Sequence, residues 1–77
     1  MAAAKTGGFY LAQLAYVDED GNGVYYREGA FNSTETKPLA AAVPDTASGS
    51  IIVEPDTGNV FLYNRPGDAW VAQFSLQ

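Results

Sequence analysis

Apolar residues in this chain come in short bursts separated by Gly, Pro, Asn and Asp, and no burst repeats at a helical or heptad spacing over any length. The pattern predicts strands. The first burst, Phe9 to Val17 (FYLAQLAYV), is apolar on both alternating faces, which fits a buried strand or a short helix. Its Phe, Tyr and Val, and the VYYRE that follows, favour the strand. The last segment, SIIVEPDTGNVFLYNRPGDAWVAQFS, holds three runs rich in Ile, Val, Phe, Tyr and Trp, parted by PDTG and NRPGD. That is the grammar of a three-stranded meander.

Register follows from the loops. With Pro55 to Gly58 as one loop, Val53 faces Val60 and Ile51 faces Leu62. With Asn64 to Asp68 as the next, Leu62 faces Trp70. One face then reads Ile51, Val53, Val60, Leu62, Trp70 and Ala72, wholly apolar, and a one-residue slip would mix polar with apolar positions. Trp70 is expected in that core. The other face carries Ser50, Ile52, Glu54, Asn59, Phe61, Tyr63, Ala69, Val71 and Gln73, polar at one end and aromatic at the other. Ile52, Phe61, Tyr63 and Val71 are therefore the expected partner-binding residues, covered either by the first hairpin of the same chain or by a second chain.

The predicted fold is mostly β: a small antiparallel sheet domain with an N-terminal hairpin, a long central loop and a C-terminal three-stranded meander. All of 1–77 forms the one domain, with 1–8 a flexible arm and 29–49 a long loop or crossover. A loop of that length is uncommon in so small a unit, so an arm or surface crossover is favoured over a free linker.

Size sharpens the picture. A chain of 77 residues buries only about 60% of its unfolded surface, and small domains of this kind commonly add disulfides, a metal or subunit contacts. With no Cys and no His, disulfides and the usual zinc ligand sets are excluded. The formal charge of −5 repels nucleic-acid phosphates and anionic membranes, so neither is an expected partner. No apolar run has the length of a membrane span or the form of a cleaved signal peptide.

One stretch imitates a metal site. Asp18, Asp20, Asn22 and Gly23 follow the D-x-[DN]-x-[DN]-G order that opens an EF-hand loop, but the twelfth position is Gly29 where a bidentate Glu is required, and VYYR is strand-like where a helix should leave. A hairpin turn explains the residues better, because Asp-Gly and Asn-Gly supply positive φ. Of two registers, a loop from Asp18 to Gly23 pairing Val17 with Val24 and Tyr16 with Tyr25 is preferred over a two-residue Asn22-Gly23 loop, since apolar cross-strand pairs outweigh an exposed ion pair. Weak calcium binding by the loop oxygens is the remaining alternative, and no cofactor or tight metal is expected. GNGVYY lacks the third glycine and the helix of a dinucleotide fingerprint, and the NST at Asn32 to Thr34 is a common triplet read as surface loop. Without His or Cys, and with Ser residues in turns, the chain is expected not to be an enzyme.

Lys37 to Val71 resembles a segment of small virion proteins of tailed bacteriophages, head-fibre and related structural polypeptides. Their pattern, K-P-x(n)-G-S-x-x-x-E-x-D-T-G-x-V-x-x-Y followed by a turn and a Trp, is met by Lys37, Pro38, Gly49, Ser50, Glu54, Asp56, Thr57, Gly58, Val60, Tyr63 and Trp70. Pro55 and the N-terminal half have no counterpart in it. The resemblance implies a non-enzymatic component of a phage particle, made in the host cytoplasm and placed in the virion, where it decorates or connects parts of the capsid or tail as a homo-oligomer alongside other virion proteins. The competing class is a small acidic phage-encoded inhibitor of a host protein. Location separates the two: a structural component travels with particles in fixed ratio.

Overall fold

The computed structural model describes residues 7–75 as five strands in one sheet: β1 (Gly8–Val17), β2 (Gly23–Ala30), β3 (Ile51–Val53), β4 (Asn59–Asn64) and β5 (Ala69–Ser75). The strands lie in sequence order, and each neighbouring pair is antiparallel except β2 and β3, which are parallel. The hairpin, the long connection and the meander are therefore present as expected. The parallel pair that joins them is an addition. Parallel neighbours need a long crossover, which gives the segment from Phe31 to Ser50 its reason to exist. Gly29 and Ala30, assigned to the loop from sequence, instead complete β2, because Gly29 is flanked by Phe9 on one side and Ile52 on the other. Of the expected arm, Gly8 opens β1 and residues 1–6 lie outside the described residues.

Two registers differ from expectation by one residue. In the first hairpin Val17 pairs with Gly23 and Tyr16 with Val24. The cause is Asp18, whose Oδ1 accepts hydrogen bonds from the amides of Asp20 (3.0 Å) and Asn22 (2.9 Å) while its own N–H donates to the Asn22 carbonyl (2.8 Å). The turn closes on Asn22, with Gly21 at φ 84°. In the meander the β3–β4 pairing is as expected, Ile51 with Leu62 and Val53 with Val60. Across β4 and β5, however, Tyr63 pairs with Trp70 and Leu62 with Val71. Asn64 stays in the strand opposite Ala69, and the loop shrinks to Arg65 to Asp68. Asp68 makes this possible at φ 51°, a left-handed conformation Asp tolerates better than most residues. Its carboxylate accepts from the Tyr63 hydroxyl (2.7 Å) and the Ala40 amide (2.8 Å).

That single slip turns β5 over. One row across the sheet now reads Phe9, Gly29, Ile52, Phe61 and Ala72, and the next reads Leu11, Glu28, Ile51, Leu62 and Val71 on the opposite face. The first row is the roofed one. Lys37 lies over the Phe61 ring, Pro38 accepts the Trp70 indole N–H at 2.7 Å, and Ala40 is tied to Asp68, so the crossover is laid across this face. Phe9 stands 6.2 Å from Trp70, centroid to centroid. Four interstrand spacings would separate β1 from β5 by about 19 Å in a flat sheet, so the sheet curls toward the crossover until its first and last strands meet through these rings.

Before β3 the chain already runs along β2. The Tyr25 amide donates to Asp45 and the Ala47 amide to Tyr25, a parallel bridge centred on Thr46. Gly49, at φ 90°, kinks the chain before it rejoins the sheet. The buried core is Val24, Phe31, Ala47, Ile52, Val60 and Tyr63 with Thr46, Ser50 and Glu54.

Candidate functional site

The four expected partner residues do not stay together. Ile52 is fully buried and Tyr63 is 3% exposed within the single chain. Phe61 is half-buried, with the Lys37 ammonium 4.6 Å from its ring centroid. Val71 alone is open, 44% exposed, on the opposite face. The face assigned to a partner is thus the intramolecular core, and Trp70, assigned to the other face, belongs with it. Its ring packs 4.9 Å from that of Tyr63. Burial and the hydrogen bond to Asp68 push the Tyr63 hydroxyl up to about 12, so it stays a neutral donor.

The most concentrated chemistry lies at the start of the crossover. Lys37 pairs with Glu54 at 2.5 Å, both largely buried. The other Glu54 oxygen accepts from Thr57 Oγ1 (2.7 Å) and Asn59 Nδ2 (3.3 Å). These donors hold the Glu54 carboxyl below its ordinary value, Lys37 first and Thr57 next, against the opposing pull of burial. A second knot joins Arg27 to Asp45 (2.9 Å) and to Thr46 Oγ1 (3.0 Å), while Arg65 donates to the carbonyls of Pro44 and Thr46. Among the described residues no buried side-chain N or O lacks a partner. The buried polar groups are occupied as fasteners between the crossover and the sheet.

A cleft of ≈ 520 Å³ opens between the first turn and the segment before β3, with Asp18, Tyr25, Asp45 and Arg65 in its walls. Its charges are spent internally: Asp18 on the turn amides, Asp45 on Arg27, Arg65 on two carbonyls. No group of three or more His, Cys, Asp or Glu among the described residues is placed to hold a metal ion. The EF-hand-like stretch is a turn in which Asp18 serves the backbone.

Unsatisfied apolar surface gathers instead at the two edges. Among the described residues the exposed large apolar side chains are Tyr10, Leu14, Tyr16 and Val17 on β1, Val71 and Phe74 on β5, and Leu39 in the crossover. From Ala12 to Val17 every residue of β1 is exposed. Neither edge strand contains a charge or a proline, the devices that usually protect a sheet edge. The run apolar on both faces, which in the sequence fits a buried strand or a short helix, is a strand, but it is not buried: β1 is an edge strand, and from Ala12 to Val17 it is exposed. No protein-family model, curated protein or solved structure matches the chain.

Proposed function

We propose that the chain is a non-enzymatic structural component of a tailed-bacteriophage particle that decorates or connects parts of the capsid or tail by association through its sheet surfaces. The observation that carries the associative part is the uncharged β1 edge, where Tyr10 and Leu14 are 68% and 57% exposed in a small acidic chain with few other means of staying folded. Large exposed apolar groups gathered on one element mark a contact surface in soluble proteins. The particle itself is supported by the motif from Lys37 to Trp70. Several of its residues now have structural work: Lys37, Glu54 and Thr57 form the fastener, and Trp70 with Pro38 holds the crossover down. Motif residues that fasten the scaffold together suit a particle component.

Quantitative mass spectrometry of purified particles tests the reading. The chain is expected in fixed ratio to the major coat or tail proteins, resistant to high-salt washing. Recovery of the chain free in the lysate, or bound to a host protein and missing from particles, would overturn it in favour of the inhibitor.

A further inference from the structure

We infer that β1 is a self-pairing edge: two copies of the chain join antiparallel through β1, with Gln13 on the two-fold axis, into one continuous sheet. The inference rests on the associative reading above and names its geometry.

The direction of each backbone group follows from the β2 bonds. Tyr25 exchanges hydrogen bonds with the Asp45 carbonyl and Ala47 amide, Arg27 N–H donates to Ser50 Oγ, and Phe31 N–H donates to the Val53 carbonyl, so the odd residues of β2 point their backbone groups away from β1. The even ones, Val24, Tyr26 and Glu28, therefore turn toward β1 and bond with Tyr16, Gln13 and Leu11, their register partners. Ala12 and Leu14 alternate with these. Their N–H and C=O groups face outward, where no strand of the described residues lies beside them.

Register shifts near Tyr10 and Ala15 bound the regular stretch Leu11 to Leu14. Only an arrangement with Gln13 on the axis matches both outward residues, Ala12 of one copy with Leu14 of the other and the reverse, each pair exchanging two N–H···O bonds. It sets a small side chain against a large one, Gln13 against Gln13, and Tyr10 against Tyr16. A self-complementary patch is what a closed two-fold dimer requires.

Between the two orientations of a second copy, charge favours the antiparallel one. The nine acidic residues of the chain leave β1 empty, but Asp18, Glu19 and Asp20 crowd its far end. A parallel pairing would abut the two acidic turns. The antiparallel one places each Asp18 across from Gly8 of the other copy, about 34 Å from its counterpart and several screening lengths away.

The full-length chain tests this directly, because it contains no Cys and Gln13→Cys would carry its sole thiol. Residues facing each other across an antiparallel non-hydrogen-bonded pair lie about 4.5 Å apart at Cα, within disulfide reach. Mild oxidation is expected to convert Gln13→Cys to a covalent dimer, while Gln73→Cys on β5 stays largely monomeric under the same treatment. By light scattering, wild type is expected at twice the mass of one chain. Ala12→Pro removes only an outward N–H, and Leu14→Lys plants a charge on the edge. Both are expected at monomer mass with a cooperative melt. A monomeric wild type overturns the inference, as does an oligomer in which Gln13→Cys crosslinks no better than Gln73→Cys. A dimer that crosslinks through Gln13 but is absent from particles would sink the virion reading and leave this one standing.

Discussion

Glu54 shows how much of this fold depends on single side chains. It is 4% exposed, yet it carries a charge, and three donors from two separate parts of the chain compensate it. Its carboxyl is depressed chiefly by Lys37 and then by Thr57, so the folded state binds fewer protons than the unfolded chain at mildly acidic pH. Stability from this group is fully present above the ordinary carboxyl value of 4.5 and is lost as pH falls through the lower folded value. Asp56, bonded by Ser33, and Asp68, bonded by Tyr63 and Ala40, are depressed as well and add loss in the same direction. Urea midpoints are therefore expected to hold from pH 7 to about 5 and to fall steeply below, with a shallower fall in Glu54→Gln. Lys37→Met at pH 7 would leave the buried carboxylate without its cation and should cost about 3 kcal/mol. An unchanged midpoint in Lys37→Met would mean the pair contributes nothing. The sequence contains Lys37 and Glu54 plainly, but 17 positions and a crossover separate them. No local pattern announces a pair that exists only because β2 and β3 run parallel.

At the scale of the element, the elements were legible and their partners less so. Alternation and turn residues predict the hairpin and the meander, because both are local and a strand's period is 2. The β3–β4 register held because Pro55 to Gly58 leaves apolar residues opposed on both sides. The β4–β5 register moved by one because Asp68, not a glycine, takes the left-handed position, drawn there by Tyr63 and Ala40, which no window of the sequence brings together. The consequence fell on Trp70, moved from one face to the other. Trp70→Ala would open the seam between crossover and sheet, remove the hydrogen bond to Pro38 and strip a ring from Tyr63 and Phe9. For this half-buried residue the loss should be about 3 kcal/mol, at the low end of the range for buried aromatics, read as a lower melting temperature with the β-sheet signature retained below it. Gly29→Ala tests the opposite kind of fit. A Cβ there would lie 2.7 Å from the Gly8 carbonyl oxygen and 2.8 Å from the Phe9 ring, so the hairpin must spread. The expected cost of about 1 to 3 kcal/mol should appear in denaturant melts, and an unaffected variant would mean Phe9 does not rest on Gly29.

For the whole molecule, charge and apolar surface pull in opposite directions, and salt can show which controls association. Each copy carries −5 at pH 7 and has a pI near 4.2, so two copies repel over distances set by screening, about 30 Å at 0.01 M ionic strength and 8 Å at 0.15 M. The proposed contact is made by backbone groups and uncharged side chains of β1, whose attraction salt does not screen. Adding salt should then remove the long-range penalty and leave the contact, so the dimer fraction at fixed protein concentration rises between those ionic strengths. An acidic inhibitor seated in a basic groove behaves oppositely, because its attraction is itself the screened quantity. Sedimentation at neutral pH across that range, where Glu54 is fully ionised and the fold is not at issue, gives the sign. A rise in dimer with salt, abolished by Leu14→Lys, is the expected result. A fall would place ion pairs inside the contact, which β1 does not contain, and would move the interface to another surface of the chain.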